Sequence, residues 1–298
     1  MFKNNFFKIS LIVLFLAKNI CSFAQVSLHQ QFKTIAEAIN GKVGVYATVI
    51  ETGDTASYNG DSKFPMQSVY KFPIAMAILD KVDKGQLRFD QKIHVLKSDM
   101  ITNGHSPIKE KDPNGNVDYT LAELLYYNVG ESDGSACDVL LRILGGTKNA
   151  DTYVHTLGIK DMAIATTEKV QQGKDDMIQY KNWATPAAIT QLLKIFYTGN
   201  KLSPKSKAYL LKLMVESSPG PKRIKGLLPQ GTVVAHKTGT SGTTGTLTRS
   251  TNDVGIITLP NGKHLAITVF VSDSNENQEQ RELTIAKIAR AAYDFWNK

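Results

Sequence analysis

The chain has 298 residues, of which 42% are hydrophobic and 21% charged, and its formal net charge is +8. This is the composition of a globular protein, and it excludes a disordered, collagen-like or coiled-coil chain. The basic residues are scattered except for Lys201, Lys205, Lys207 and Lys212, which follow the pattern of a solvated helix face. No nucleic-acid partner is therefore predicted.

The first 24 residues have the layout of a secretory signal peptide. Lys3 and Lys8 precede an apolar run over residues 9–17, and residues 22–24 provide small side chains at the −3 and −1 positions of a cleavage site. The apolar run is too short to span a bilayer, so no stable membrane insertion is expected. We predict an exported protein, secreted or periplasmic, made of residues 25–298.

The two cysteines bear on anchoring and on redox chemistry. Lipoprotein anchoring at Cys21 is an alternative fate, but the Asn-Ile pair before it is a poor lipoprotein cleavage motif. Removal of the leader lowers the formal charge to +5 and leaves Cys137 alone, so no internal disulfide can form. Cys137 lies among apolar residues at helical spacing, which favours a buried structural thiol over a nucleophile.

After the leader, hydrophobic alternation predicts strands near both ends of the chain. Two short strand patterns joined by a Thr-Gly-Asp turn indicate an N-terminal hairpin. The last two strands are joined by Pro-Asn-Gly-Lys, which is a strong hairpin signal. The predicted strands cover residues 44–50, 56–58, 232–235, 254–259 and 264–271.

Residues 66–216, between these strands, are dominated by helical periodicity, and an amphipathic helix over 283–296 closes the chain. Hairpin strands imply an antiparallel sheet, here built from both ends of the chain and packed against terminal helices. The helical block would form a second lobe. We expect the binding site in the cleft between the two lobes.

The segment MQSVYKFPIA, residues 66–75, places a lysine among apolar side chains. Residues three apart share a helix face, so Lys71 would lie beside the Ser68 hydroxyl at a helix start. A partly desolvated lysine there can have a lowered pKa and take the serine proton. Because Ser106 and Lys109 have the same spacing in a loop-like stretch, the pair alone leaves a structural lysine open.

The segment HKTGTSG follows the predicted strand over 232–235 and contains Lys237, Thr238, Gly239 and Thr240. A cation and hydroxyl groups beside a glycine that permits close backbone approach would suit a carboxylate ligand. A strand followed by a flexible turn explains the same residues, so both interpretations stay open.

Two further segments carry candidate polar groups. Ser132 and Asp133 precede a predicted helix, where serine and aspartate are also common N-caps. Glu168 lies in the polar stretch 166–181, which is long enough to form a structured loop of the kind that often carries function.

Taken in order, Ser-x-x-Lys, Ser-Asp-x, a loop glutamate and Lys-Thr-Gly resemble the motifs of the class A serine β-lactamases. The resemblance runs from about residue 30 to the C-terminus. The segments MQSVYKFPIA, YKNWATPAA, HKTGTSG and TNDVGIITLPNG are most similar to the extended-spectrum, cephalosporin-hydrolysing (PER- and VEB-like) branch.

The resemblance implies an α/β (α+β) fold of two lobes in one catalytic domain. A five-stranded antiparallel sheet flanked by terminal helices would comprise about residues 25–65 and 217–298, and an all-helical lobe about residues 66–216. It also implies a hydrolase of cyclic amides that is a monomer, uses no metal or cofactor and acts on small-molecule β-lactams through an acyl-serine intermediate.

The resemblance implies a catalytic role for four residues. Ser68 would be the nucleophile, and Lys71 would activate it either directly or through Glu168 and a water molecule. Ser132 would relay a proton to the lactam nitrogen. Glu168 would also activate the water that deacylates the enzyme.

The resemblance also implies how substrate is bound. The backbone N–H groups of Ser68 and Thr240 would form the oxyanion hole. Lys237, Thr238 and Thr240, on the strand that contains Gly239, would hold the substrate carboxylate. The Arg223 guanidinium would pair with that carboxylate in bidentate geometry.

Three positions depart from the family pattern. Gly134 stands where asparagine is usual, and we expect it to leave a space for water or for a bulky acylamino side chain. Gln172, also a candidate substrate-binding residue, replaces another asparagine. Thr166 replaces an arginine that often forms a salt bridge bracing the loop.

Two other functions are compatible with part of this motif set. A penicillin-binding DD-peptidase shares the fold and the acylation step but lacks a deacylating glutamate, so Glu168 argues against it. A β-lactam-binding sensor domain would be tethered by membrane helices, which the sequence does not contain. The six histidines show no zinc-ligand spacing, which disfavours a zinc lactamase.

Overall fold

The computed structural model describes residues 27–173 and 175–298, so the predicted leader and Cys21 lie outside the described residues. The α-helices are α1 (Leu28–Glu37), α2 (Lys71–Asp83), α3 (Pro107–Lys111), α4 (Leu121–Val129), α5 (Gly134–Leu144), α6 (Thr147–Thr156), α7 (Glu168–Gln171), α8 (Pro186–Thr198), α9 (Pro204–Val215) and α10 (Gln278–Trp296). The strands are β1 (Lys42–Val49), β2 (Thr55–Tyr58), β3 (Phe64–Pro65), β4 (Lys92–Val95), β5 (Val117–Thr120), β6 (Met162–Ala163), β7 (Trp183–Ala184), β8 (Val234–Thr240), β9 (Thr243–Thr244), β10 (Leu247–Thr258) and β11 (His264–Ser274).

The main sheet is antiparallel and runs in the order β2-β1-β11-β10-β8, which confirms the five strands and both predicted hairpins. The two-residue strand β9 adds a sixth strand at the edge of β10. At the turn between β10 and β11, Gly262 adopts a φ of +79°, a conformation that glycine tolerates without a steric cost. Strands from the two ends of the chain meet at β1 and β11, where Lys42 pairs with Ser272.

Both faces of the sheet are packed against helices, and β11 accordingly carries apolar side chains on both sides. Leu265, Ile267 and Val269 pack with Phe32 of α1 and Ile288 of α10 in one cluster. The alternate side chains, which include Ala266 and Phe270, join the larger core of the helical lobe. This alternation over successive residues is what a strand buried on both faces requires.

Helix α2 lies at the centre of the helical lobe and is buried over its first nine residues, from Lys71 to Leu79. A helix that is apolar on all sides is stable only when other helices surround it, and α2 packs against α4, α5, α6 and α9. Its buried start places the serine–lysine pair at the junction of the lobes.

The helical lobe holds more strand than periodicity indicated. Strands β4 and β5 form one small sheet, and β3, β7 and β6 form another. Strand β8 also extends further than predicted, because it continues through the Lys-Thr-Gly motif to Thr240. The motif is therefore a rigid sheet edge and not a flexible turn.

Candidate active site

A cleft of about 620 Å³ lies between β8 and the helical lobe. Residues of all four motifs line it together with neighbouring polar side chains: Gln67, Ser68, Lys71, Asn103, Gly104, His105, Glu131, Ser132, Glu168, Gln171, Gln172, Asp176, Gln179, Ser218, Pro219, Thr238, Thr240, Ser241 and Gly242. A second cavity, of about 690 Å³, lies beside Phe295 and Trp296 and contains none of the motif residues. The four predicted catalytic residues therefore lie in the first cleft.

Lys71 joins three of the predicted catalytic residues. Ser68 lies in a single 3₁₀ turn that leads directly into α2, and Lys71 is the first residue of that helix. The Lys71 Nζ donates to Ser68 Oγ at 2.8 Å and to the Ser132 carbonyl oxygen at 2.9 Å. It also forms an ion pair with Glu168 Oε1 at 2.8 Å, although Lys71 is only 1% exposed.

The pKa of Lys71 is raised, whereas the sequence led us to expect a lowered one. Burial is the largest single effect and lowers the pKa of Lys71, but the nearby acidic groups, of which Glu168 is the strongest, together raise it above the ordinary value for lysine. Lys71 is thus held as an ammonium ion in this state. It must first lose a proton before it can take one from Ser68.

Ser132 is held by both buried lysines. Lys237 Nζ donates to Ser132 Oγ at 2.7 Å and to the Thr238 carbonyl oxygen at 3.0 Å. Lys237 is fully buried, and burial together with the nearby Lys71 charge holds its pKa well below the ordinary value for lysine. The Ser132 backbone has a φ of +60°, which is strained for a residue with a side chain.

Gly239 allows β8 to lie against the nucleophile turn, the 3₁₀ turn Gln67–Tyr70 that contains Ser68. A Cβ atom at this position would lie 2.4 Å from the Met66 carbonyl oxygen, so only glycine fits. The close approach aligns Thr238 and Thr240 along the cleft opposite Ser68. This is the physical reason for a glycine in the motif.

Arg223 is buried behind β8, and most of its guanidinium is already bonded. Nε forms an ion pair with Glu282 at 3.2 Å, and Nη1 donates to the carbonyl oxygens of Gly239 and Asn252. Nη2 donates to Thr240 Oγ1 at 2.8 Å. The guanidinium is not free for the expected bidentate pairing, and it reaches the cleft through Thr240.

The expected vacant space at Gly134 is filled, so that expectation is wrong. A Cβ atom on Gly134 would lie 2.6 Å from Ile101 Cδ1, and Ile101 is buried. Gly134 is also buried as the first residue of α5, and Asp133 is the predicted N-cap, accepting a hydrogen bond from Ala136 N. Ile101 therefore occupies the place that a longer side chain at residue 134 would need.

The Glu168 loop is braced by uncharged and charge-assisted hydrogen bonds. Asn182 accepts from the Thr166 N–H through Oδ1 and donates to the Thr166 carbonyl oxygen. Asp138, on α5, accepts from the N–H groups of Glu168 and Lys169 at 2.8 and 2.9 Å. These contacts hold the loop although threonine stands at residue 166.

Gln172 connects this loop to the opposite wall of the cleft. Its Oε1 accepts from Asn103 N at 3.1 Å, and its amide lies against Gly104. It therefore lines the cleft and also fixes the position of the loop that precedes α3.

Tyr70 contacts the Glu168 carboxylate, and Gln171 contacts Tyr70. The sequence motifs singled out neither residue. The Tyr70 hydroxyl donates to Glu168 Oε1 at 3.0 Å, and Gln171 Nε2 donates to Tyr70 at 3.1 Å. The available signal was a phenol between Ser68 and Lys71, but its partner lies 98 residues further along the chain. Cys137, as predicted, is fully buried, and burial raises its pKa well above the ordinary thiol value.

Within 27–173 and 175–298, no group of three or more metal-ligating side chains is assembled. Over these ranges, no helix combines the length and apolar character needed to cross a bilayer.

Comparisons with known proteins agree with this geometry. The model of the β-lactamase enzyme family matches residues 27–296. The chain is 42% identical over 272 residues to β-lactamase VEB-1 of Pseudomonas aeruginosa, covering 91% of this chain and 90% of the relative. It is 40% identical over 268 residues to the extended-spectrum β-lactamase PER-1 of the same organism, covering 90% of this chain and 87% of PER-1.

Solved structures show the same relationship. A β-lactamase from Chitinophaga pinensis is 48% identical and superposes with a TM-score of 0.87, covering 90% of this chain and 98% of that one. The TLA-1 extended-spectrum β-lactamase is 46% identical with a TM-score of 0.88, covering 91% and 98%. The chain therefore belongs to the β-lactamase enzyme family and is a class A serine β-lactamase of the PER- and VEB-like group.

Proposed function

We propose that Ser68 attacks the β-lactam carbonyl and that Glu168 activates the water that later releases the product. The observation that carries this assignment is the position of Lys71 Nζ, which lies 2.8 Å from both Ser68 Oγ and Glu168 Oε1. A nucleophile, a cation and a carboxylate are thereby joined in one hydrogen-bonded chain at the floor of the cleft.

The charge of Lys71 supports Glu168 as the final acceptor of the serine proton. Because Lys71 is an ammonium ion beside a carboxylate, its proton must pass to Glu168 before it can accept the Ser68 proton. The alternative route, through a water molecule between Ser68 and Glu168, ends on the same carboxylate. Either route leaves Ser68 Oγ free to form the acyl bond.

Ring opening then needs a proton on the lactam nitrogen. We assign this donation to Ser132, whose Oγ lies in the cleft at 2.7 Å from Lys237 Nζ. Ser132 then recovers a proton from Glu168, returned through Lys71, so Glu168 is again a carboxylate for the next step. The carbonyl oxygen would be stabilised by the backbone N–H groups of Ser68 and Thr240. Water activated by Glu168 next attacks the ester carbonyl, the Ser68–acyl bond breaks, and Ser68 recovers its proton.

The substrate carboxylate would bind at Thr238 and Thr240, which line the cleft in front of two buried cations. Thr240 Oγ1 accepts from Arg223, so the hydroxyl proton remains available to a ligand. Lys237 and Arg223 would supply positive potential from behind these hydroxyls.

Cephalosporin preference is part of the proposal, because the similar proteins PER-1 and TLA-1 are extended-spectrum β-lactamases. We further propose that the protein is exported to the periplasm, on the basis of its N-terminal 24 residues, and that it is a monomer, as the family resemblance implies.

The test combines steady-state turnover of a chromogenic cephalosporin and of a penicillin with intact mass. Ser68→Ala should abolish turnover and the mass increase caused by a slow β-lactam, while circular dichroism shows a folded protein. Glu168→Ala should accumulate the acyl-enzyme, with a burst followed by slow turnover. Covalent labelling of Ser68→Ala, or wild-type turnover by Glu168→Ala, would overturn the corresponding assignment.

A further inference from the structure

Tyr70 is a buried phenol whose only polar atom faces the proposed catalytic carboxylate. Its side chain is fully buried between the nucleophile turn and α7. The hydroxyl oxygen lies 3.0 Å from Glu168 Oε1 and 3.1 Å from Gln171 Nε2. A phenylalanine would fill the same volume, so packing alone does not explain the hydroxyl.

The direction of these hydrogen bonds follows from the chemistry of the partners. An ionised carboxylate only accepts, and a phenol has a single proton, so Tyr70 donates to Glu168. Gln171 must then supply its amide N–H to the phenol oxygen. Burial raises the pKa of Tyr70 well above the ordinary phenol value, so the hydroxyl stays protonated and remains a donor.

The two oxygens of Glu168 are consequently unequal. Oε1 accepts from Tyr70 and pairs with Lys71, whereas no residue in the described chain bonds to Oε2. Oε2 lies near the start of α5, 3.6 Å from where a Cβ atom on Gly134 would stand. Two donors on one oxygen restrict rotation of the carboxylate and leave the other oxygen for water.

We propose that Tyr70 is a positioning residue for deacylation, because its hydroxyl fixes the Glu168 carboxylate with Oε2 directed at the hydrolytic water. The proposal rests on the role of Glu168 given above. Loss of the hydroxyl should slow deacylation by about tenfold, the effect of one charge-assisted hydrogen bond at the lower end of its range. Acylation should change little, since the contacts that carry the serine proton, from Lys71 Nζ to Ser68 Oγ and to Glu168 Oε1, both remain.

The experiment compares Tyr70→Phe with Tyr153→Phe. The Tyr153 hydroxyl is also buried but has no hydrogen-bond partner in the described chain, so this variant controls for loss of a buried phenol oxygen. Deacylation is measured as the decay of acyl-enzyme by quenched-flow intact mass with an oxyimino-cephalosporin. Acylation is followed through kcat/KM.

The expected result is a slower decay for Tyr70→Phe only, with kcat/KM unchanged within about twofold. An unchanged decay rate would overturn the proposal, as would a proportional fall in both steps, which a general loss of structure would cause. If Tyr70→Phe does not fold, Gln171→Leu decides the matter, since it removes the donor that orients the phenol. It should slow decay by about threefold, and an unchanged rate would refute the proposal.

Glu168→Ala, measured in parallel, distinguishes a wrong assignment of the deacylating base from a wrong role for Tyr70. Normal turnover by Glu168→Ala would refute the assignment of the deacylating base, and the role of Tyr70 would fall with it. Accumulation of acyl-enzyme in Glu168→Ala together with wild-type decay in Tyr70→Phe would refute only the role of Tyr70.

Discussion

Gly134→Asn tests whether the wall of the cleft beside Glu168 is a packed surface. The first atom of any side chain at residue 134 would lie 2.6 Å from Ile101 Cδ1, well inside van der Waals contact. Cδ1 is the movable end of the Ile101 side chain, but Ile101 is 1% exposed, so neighbouring buried atoms must absorb its displacement. We therefore expect Gly134→Asn to be destabilised, and to gain no activity towards small cephalosporins.

The magnitude follows from the geometry of the contact. Overpacking of a buried site costs about 1–3 kcal/mol of unfolding free energy, which lowers the Tm of a chain of this size by roughly 2–6 °C. Ile101→Val removes Cδ1, the atom that would clash. That change alone costs about 0.5–1.5 kcal/mol, but in the Gly134→Asn background it should restore stability.

A double-mutant cycle measured by urea denaturation and by kcat/KM provides the assay. The coupling between the two substitutions should be favourable by about 1 kcal/mol or more, and only the double variant should gain turnover of small cephalosporins from the new amide. Gly134→Ala is the matched control, because it adds the clashing Cβ without an amide. Additive stabilities, or a fully stable Gly134→Asn single variant, would refute the packing argument.

Three further predictions concern buried polar groups. Arg223→Ala should lose about 3 kcal/mol of unfolding free energy, because it removes the ion-pair partner of the buried Glu282. It should also raise KM for carboxylated cephalosporins, because the positive potential behind Thr240 is lost. The exposed neighbour Lys222→Ala is the control, and equal denaturation midpoints for the two variants would contradict the expectation. Burial raises the pKa of Asp138 to about 6, so the folded state binds its proton more tightly than the unfolded state. Ionisation of Asp138 should therefore reduce wild-type stability as the pH rises from about 4 to 6, and chemical denaturation across this range should show no such decline in Asp138→Asn. In protein of residues 25–298, native Cys137 should resist alkylation by iodoacetamide, whereas the urea-unfolded protein should gain one adduct by mass. Rapid labelling of the native thiol would show that the helix opens readily.

Motif order and periodicity were sufficient for the family, for the antiparallel sheet, and for part of the cleft lining: Ser68, Lys71, Ser132, Glu168, Gln172, Thr238 and Thr240. These features depend on short segments, such as the Asn-Gly hairpin and the serine–lysine pair, whose local pattern carries the information. Strands β3, β6 and β7, with two residues each, are too short to show alternation. They form only because distant segments pass side by side in the folded chain.

The missed contacts share a different cause, since each joins residues far apart in sequence. The filling of the Gly134 site depends on Ile101, and the orientation of Glu168 depends on Tyr70. The raised pKa of Lys71 likewise requires the ion pair with Glu168 to be known. A residue type predicts which charges are present, but the balance between burial and pairing is settled by the tertiary structure.

The meeting of the two chain ends at β1 and β11 has a consequence for how the enzyme matures. Lys42 and Ser272 pair across the sheet, so the central strand pair can form only after almost the whole polypeptide is available. Non-local strand pairing of this kind slows folding. A chain that ends before β11 would keep every motif residue yet lack the strand that joins β1 to β10. Activity should thus appear in one late step, when residues 264–298 complete the sheet.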